Sequence, residues 1–328
     1  MSLPVVVVAF EPTDEGVKQV FVDAVAGQAD LVFVGASDET ARRNAMEAAR
    51  VIVVSGSKAD LAKIDPALFA GKMVQTMIAG VDQLPFDQLP GDAMIAHNGG
   101  AFAPQMAEHV VGMILAVKKD LVRRHLALGR GEWMMQAERT RELRGDTCAI
   151  IGFGGIGKAT ARLLRGFDVR IEAINRSGRT DEAVDFVGTL SALGEVLPRA
   201  DVVVLSLGLN AQTKGMIDAA ALALMKNDAT LVNVARGAVI DEAALFAHLK
   251  TTPRFSACLD TWWGEPFAEG KFSANFPFMD LPNVLGSPHN SGITQRYFLN
   301  AARHAVANVC RFLATGEAER LVTHADRP

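Results

Sequence analysis

The first hundred residues alternate between short apolar runs and segments with helical spacing. The apolar runs are rich in β-branched residues, and they predict buried strands over residues 5–10, 31–34, 51–54, 73–78 and 94–97. The segments between them predict helices over residues 15–26, 40–49 and 59–64. Strands that alternate with helices form βαβ units, so this part of the chain predicts a parallel sheet.

The pattern changes after residues 98–100, where the sequence Asn-Gly-Gly interrupts the alternation. Apolar residues then recur at helical spacing from Met106 to Val117, and they predict one long helix over residues 105–128. A helix of that length is able to connect two domains. The polar stretch over residues 129–143 predicts an exposed arm.

A second alternating series begins at Thr147. It predicts strands over residues 148–151, 169–174, 201–206, 230–234, 256–259 and 284–285, with a helix over 158–164 and a last helix over 294–313. The predicted fold is therefore α/β, with two Rossmann-like, doubly wound parallel-sheet domains.

Composition narrows the class of protein. The chain has 328 residues, of which 49% are hydrophobic and 21% charged, as in ordinary globular proteins. The net charge of −4 argues against a nucleic-acid partner, because phosphate binding requires a basic surface. We find no membrane span or signal peptide, so no membrane association is expected. Three widely spaced cysteines indicate a reducing, cytoplasmic environment and no metal site.

Three glycines form a GxGxxG motif between a predicted strand and a predicted helix. Gly152 permits a tight turn, Gly154 lets the backbone approach a diphosphate, and Gly157 lets the helix pack closely on the strand. The amino end of the helix offers free N–H groups and a partial positive charge to that diphosphate. The motif predicts a dinucleotide site.

The end of the next strand indicates which dinucleotide is preferred. Sites that prefer NAD place a carboxylate there to accept hydrogen bonds from the ribose. This chain has Asn175, Arg176 and Ser177 instead, followed by Arg179. The two arginines are able to pair with a 2′-phosphate, and the polar side chains are able to donate to it. We therefore expect NADP to be preferred, with NAD possible.

Several ordered motifs resemble the D-isomer-specific 2-hydroxyacid dehydrogenase family, and especially its glyoxylate and hydroxypyruvate reductases. They are Ala79-Gly80-Val81-Asp82, Ala107-Glu108-His109, the run Gly152-Phe153-Gly154-Gly155-Ile156-Gly157, Asn233-Val234-Ala235-Arg236-Gly237, Leu259-Asp260, Glu265-Pro266 and Pro288-His289. Their order and spacing match the family over most of the chain.

This resemblance implies a domain arrangement. Residues 1–103 and 291–328 would form a discontinuous catalytic domain that binds the substrate, and residues 104–290 would form the dinucleotide-binding domain. A cleft between the two domains would hold the substrate. The resemblance also implies a homodimer formed through the 104–147 segment.

The same resemblance assigns roles to individual residues. Arg236 would bind and orient the substrate carboxylate, and His289 would be the acid/base with Glu265 as its carboxylate partner. Ala79 and Gly80 would hold the substrate carboxylate through backbone N–H groups. The cofactor would contact the glycine run (Gly152, Phe153, Gly154, Gly155, Ile156 and Gly157), Ala235 and Asp260, of which Asp260 would accept from the nicotinamide carboxamide.

The chemistry of the residues agrees with these implied roles. Oxidation of a 2-hydroxy acid releases a hydride from carbon and a proton from oxygen, and histidine titrates in the range that suits such a proton. A guanidinium matches a carboxylate and polarises a neighbouring carbonyl. We interpret the six other histidines as surface or packing residues: His97, His109, His125, His248, His304 and His324.

The expected function is an NADP-preferring reductase of small 2-keto acids. The alternative is a dinucleotide-sensing, corepressor-like interaction protein of the same fold, which would keep the same three residues. Within the fold, a formate dehydrogenase would have Gln in place of Glu265, and a phosphite dehydrogenase would have Lys in place of Ala79. Both are therefore disfavoured.

Overall fold

A computed structural model describes residues 2–12, 14–82, 84–136, 140–266, 270–323 and 326. The strands, β1 to β12, are Val5–Val8, Asp30–Phe33, Ala49–Val54, Met73–Thr76, Met94–Ala96, Thr147–Ile151, Arg170–Ile174, Phe186–Gly188, Val202–Leu205, Thr230–Asn233, Ser256–Leu259 and Val284–Gly286. The α-helices, α1 to α10, are Glu15–Val25, Glu39–Ala48, Lys58–Leu61, Ala103–Lys118, Leu121–Gly129, Gly155–Arg165, Leu193–Val196, Ala219–Leu224, Glu242–Thr251 and Tyr297–Thr315.

The chain divides into two compact units. One consists of residues 1–102 and 294–328, and the other of residues 103–293. The first unit has a parallel sheet in the order β2-β1-β3-β4-β5. Val6, Val7 and Val8 of the interior strand β1 have no exposed surface, as expected for a strand covered on both faces.

The second unit has a parallel sheet in the order β12-β11-β10-β9-β6-β7-β8. All four residues of β9 and of β10 are buried. The order reverses at β6, where β9 lies on one side and β7 on the other, and ligands bind at such switch points in open α/β sheets. The prediction of two parallel α/β sheets is confirmed.

Aspartates begin several of the helices. The side chain of Asp38 accepts from the amide of Ala41 at the start of α2, and Asp218 and Asp241 make the same contact at α8 and α9. Each contact satisfies an amide that has no partner inside the helix. Short local sequence therefore sets where these helices start.

The prediction of one helix over residues 105–128 is wrong. The structure has two helices, α4 and α5, separated at Asp120, whose φ of 53° is left-handed and cannot continue an α-helix. The Asp120 carboxylate accepts from Arg123 at 2.7 Å, which fixes the break. The predicted arm over residues 129–143 is mostly exposed: of its described residues only the last, Leu143, is buried, and residues 137–139 lie outside the described residues.

One strand was missed. The strand β8 has only three residues, all half-buried, and it pairs with β7 at the edge of the sheet. Its sequence carries too few apolar positions to distinguish it from a loop. Within the part of the chain that the structure describes, no helix combines the length and the apolar character needed to cross a bilayer.

Candidate active site

The three motif glycines have different surroundings. Gly152 has φ of 99°, and a Cβ there would lie 2.6 Å from the backbone of Ser206. A Cβ on Gly157 would lie 2.6 Å from the carbonyl oxygen of Gly152. By contrast, a Cβ on Gly154 would meet no protein atom within 4 Å. The fold requires the first and third glycines, whereas the second borders open space beside the first turn of α6.

The other residues of this run lie around the start of α6. Gly155 is its first residue, and Gly154 precedes it as an N-cap with no side chain to cover the helix amides. Phe153 is only 3% exposed, and its amide donates to the carbonyl of Ile174 at 2.9 Å. Ile156 packs against the same core. This end of α6 fits an anion such as a dinucleotide diphosphate.

A tight turn follows β7. The Asn175 side-chain oxygen accepts from the amides of Ser177 at 3.1 Å and Gly178 at 2.7 Å, and its Nδ2 donates to the carbonyl of Arg179 at 2.8 Å. Arg176, Ser177 and Arg179 are exposed. Asn175 therefore holds the turn, and the two arginines present charged side chains at the surface.

The acidic residues that follow this turn pair with α6. Asp181 contacts Lys158, while Glu182 contacts Arg162 and also Arg165, the latter at 3.1 Å. The hydrogen bonds from these cations lower the pKa of both carboxyls. The two carboxylates that directly follow the turn are thus paired with cations of α6.

Arg236 follows the end of β10. The buried Asn233 side chain accepts from the amide of Ala235 at 3.0 Å and donates to the carbonyl of Arg236 at 2.9 Å. Gly237 has no room for a side chain, since a Cβ would lie 2.3 Å from the backbone of Trp262. The half-buried Arg236 side chain also donates to the carbonyl of Ala235 at 2.8 Å. The backbone of Arg236 is thus fixed by Asn233 on one side and by the close packing at Gly237 on the other.

Glu265 and His289 form a close pair. The Nδ1 atom of His289 lies 2.9 Å and 3.0 Å from the two carboxylate oxygens of Glu265. Glu265 is 7% exposed and also accepts from the amide of Trp262 at 2.9 Å. A carboxylate can only accept, so Nδ1 carries the hydrogen and Nε2 is the ring atom able to exchange a proton with a ligand.

Asp260 is fully buried beneath this pair. Its carboxylate accepts from the Ser287 hydroxyl at 2.5 Å and from the amides of Asn290 at 3.1 Å and Ser291 at 3.2 Å. Its backbone carbonyl accepts from the amide of His289 at 2.8 Å. The carboxylate and the carbonyl of Asp260 therefore already accept hydrogen bonds from the protein's own chain. The contact of Asp260 with a nicotinamide carboxamide stays a prediction.

One residue near the site was missed by sequence reasoning. His109, on α4, places Nε2 3.1 Å from the Ser287 hydroxyl and 3.8 Å from the Asp260 carboxylate. It is therefore more than a surface or packing residue. Its motif with Ala107 and Glu108 marked the segment, but nothing in the sequence joined it to a serine 178 positions away.

The neighbouring thiol is inert. Cys258 lies two residues before Asp260 and is fully buried, and burial raises its pKa to about 12. The thiolate needed for nucleophilic chemistry is therefore not formed near neutral pH. The side chains able to move a proton here are carboxyl and imidazole groups.

Ala79 and Gly80 lie in the first unit, in the loop that follows β4. Asn98 holds the start of this loop, because its Nδ2 donates to the carbonyl of Met77 at 2.9 Å and its amide donates to that of Ile78 at 3.0 Å. The structure thus places these two residues in a half-buried loop anchored to the end of β5.

Comparison with known proteins agrees with this geometry. The sequence pattern of the "D-isomer specific 2-hydroxyacid dehydrogenase, NAD binding domain" matches residues 111–291. The glyoxylate reductase of Pyrococcus furiosus is 34% identical over an alignment of 244 positions that covers 71% of each chain. This chain belongs to the D-isomer specific 2-hydroxyacid dehydrogenase family.

Two further similar proteins extend the comparison. The D-3-phosphoglycerate dehydrogenase of Methanocaldococcus jannaschii is 29% identical over 90% of this chain and 56% of its own length. A solved D-isomer specific 2-hydroxyacid dehydrogenase from Xanthobacter autotrophicus, in complex with NADPH and MES, has a TM-score of 0.73 and 26% identity over 98% of each chain. Four relatives are matched over 45% to 62% of their own length.

Proposed function

We propose that the protein is an NADP(H)-preferring reductase of small 2-keto acids, such as glyoxylate or hydroxypyruvate. The observation that carries the proposal is the contact between His289 and Glu265 at 2.9 Å, in the same unit as the GxGxxG loop. A glyoxylate reductase among its relatives supports the substrate class.

His289 acts as the proton donor in reduction. When bound, the nicotinamide supplies the hydride to the carbonyl carbon. The alkoxide that develops on the oxygen takes the proton from Nε2 of His289, and Glu265 stabilises the ring while it is charged. In the reverse direction, neutral His289 takes the proton from the hydroxyl group.

Arg236 binds the carboxylate of the keto acid. Its guanidinium offers parallel N–H donors to the two carboxylate oxygens, and its charge polarises the adjacent carbonyl. The short segment after β10 is fixed by Asn233 and Gly237, so little backbone conformational entropy is lost when Arg236 binds. Backbone N–H groups of Ala79 and Gly80 are the second proposed contact of the carboxylate.

The turn after β7 binds the 2′-phosphate of NADP. Arg176 and Arg179 are exposed there, the following carboxylates pair with α6, and the position that NAD-preferring sites give to Asp or Glu holds Asn175. The complex of a relative with NADPH supports this choice. The diphosphate lies at the open space beside Gly154, along the glycine run.

The protein forms a homodimer through the 104–147 segment. Large apolar side chains on α5 and the residues after it are 47% to 78% exposed: Leu121, Val122, Leu126, Leu128, Trp133 and Met135. Large apolar side chains that are exposed and concentrated in one segment are typical of a protein interface. We place the protein in the cytoplasm, since all three cysteines are free.

Steady-state reduction of a panel of 2-keto acids with NADPH and NADH tests the function, and light scattering tests the dimer. We expect loss of nicotinamide absorbance with glyoxylate or hydroxypyruvate and a mass of two chains. Dinucleotide binding without turnover of any keto acid would overturn the reductase and favour the corepressor-like alternative. A single-chain mass would overturn only the dimer.

A further inference from the structure

The backbone of His289 has an unusual conformation. Its φ is 51°, in the left-handed region that a residue with a side chain rarely adopts. Such a conformation is strained, and it persists only where surrounding contacts hold the residue in place. The atoms that hold His289 are therefore part of how the imidazole is aimed.

Asp260 supplies those atoms. Three consecutive amides point at it: that of His289 at its carbonyl, at 2.8 Å, and those of Asn290 and Ser291 at its carboxylate, at 3.1 Å and 3.2 Å. The last two of these amides converge on the carboxylate, and successive amides around one anion form a nest. The carbonyl and the carboxylate of Asp260 together thus set the path of the chain at His289 and directly after it.

The carboxylate is itself held from one side by two side chains. Ser287 donates its hydroxyl hydrogen to Asp260 at 2.5 Å, so its oxygen is left to accept from Nε2 of His109 at 3.1 Å. His109 is carried by α4, which also contacts the loop through Gln105 and the carbonyl of Gly292, at 3.5 Å. The chain of contacts runs from α4 to Ser287, Asp260 and the amides of residues 289–291.

We propose that Ser287 and His109 are positioning residues for His289, acting through the buried Asp260. The order of the contacts excludes a second reaction centre, because the serine lies between the acid and the imidazole and gives its proton to the acid. A serine nucleophile would need the histidine between the two. Small displacements of a reacting group reduce rates strongly, so loosening this chain lowers turnover.

The first test changes Ser287. Ser287→Ala removes the bridging hydroxyl, while Ser287→Thr keeps one. We expect kcat to fall about 10-fold in the alanine variant and to recover most of the parental value in the threonine variant, with the dissociation constant of NADPH changed less than about threefold. Thr251→Ala, which removes a hydroxyl from the exposed end of α9, is the matched control and leaves kcat unchanged.

The second test changes His109. Gln places a donor near the position of Nε2, whereas Leu offers none, so His109→Leu should resemble Ser287→Ala and His109→Gln should restore turnover. Equal kcat in all four variants and the parent would overturn the proposal. So would a loss of kcat that is the same in the conservative and disruptive variants, or one that follows a common fall in melting temperature.

A readout without turnover separates this inference from the proposed function on which its kinetic part rests. Hydrogen exchange of the peptide that covers residues 287–292 reports the amides held by Asp260. We expect exchange at least about 10-fold faster in Ser287→Ala and His109→Leu, and parental in Thr251→Ala. Unchanged exchange would overturn the inference even in an active enzyme, whereas faster exchange in a protein without reductase activity would overturn only the proposed function.

Discussion

Two places at the carboxyl edge of the larger sheet are held very differently. After β10, β11 and β12, the functional candidates are fixed by buried hydrogen bonds, as Glu265 is by His289 and by the amide of Trp262. After β7, the turn is held mainly by the side chain of Asn175, and Arg176 and Arg179 are exposed. The first place, the preorganised region, has the rigidity that the proposed chemistry requires, while the second has the exposed charges that the proposed choice of cofactor requires.

The largest effect should come from removing the imidazole. His289→Asn keeps a polar side chain that tolerates a left-handed backbone, so the variant should fold and bind the dinucleotide. It loses the proton donor, which is worth about 10²- to 10⁴-fold in rate. Kinetics of keto-acid reduction, with NADPH affinity measured alongside, would check this. A variant with parental kcat would mean that the preorganised region does not perform the chemistry.

Removing the guanidinium should have the next largest effect. Arg236→Ala loses a charge-assisted contact and the polarisation of the carbonyl, which together are worth about 3 kcal/mol of transition-state stabilisation. We expect kcat/KM to fall about 100-fold, with an intact far-UV spectrum. Arg254→Ala, at an exposed arginine paired with Asp228, is the control. Near-parental kcat/KM in a folded Arg236→Ala would refute the assignment.

The exposed turn should decide the cofactor. Charge-assisted contacts with a 2′-phosphate are worth about 1.5–3 kcal/mol each, so NADPH should exceed NADH at least about tenfold in kcat/KM. Replacing Asn175 by Asp and Arg176 by Ala should reverse that order, because it removes an attraction and adds a repulsion. The measurement is kcat and KM for both cofactors at one saturating keto acid. Equal efficiency in the parent would show that the arginines do not bind the phosphate.

The sequence predicted the regular parts of the fold better than it predicted contacts between residues that are distant along the chain. The two parallel sheets follow from apolar runs such as residues 5–8 and 202–205, and the glycine spacing follows from a local rule. The break at Asp120 does not, because helical spacing continues through it and a left-handed residue ends the helix. The contact of His109 with Ser287 is equally hidden, since 178 positions separate the two and only folding brings them together.

The smallest of these effects tests how the preorganised pair works. Glu265→Gln has nearly the same shape, and one amide oxygen is able to accept from either His289 or the amide of Trp262, so the ring should stay close to its place. What is lost is the negative charge beside the imidazolium. We expect kcat to fall several-fold, about tenfold at most, which is less than in His289→Asn. Steady-state kinetics with and without the substitution would measure this, with Glu242→Gln, which removes a charge at the start of α9, as the charge-matched control. A parental kcat in Glu265→Gln would show that the negative charge of Glu265 does not assist the proton transfer.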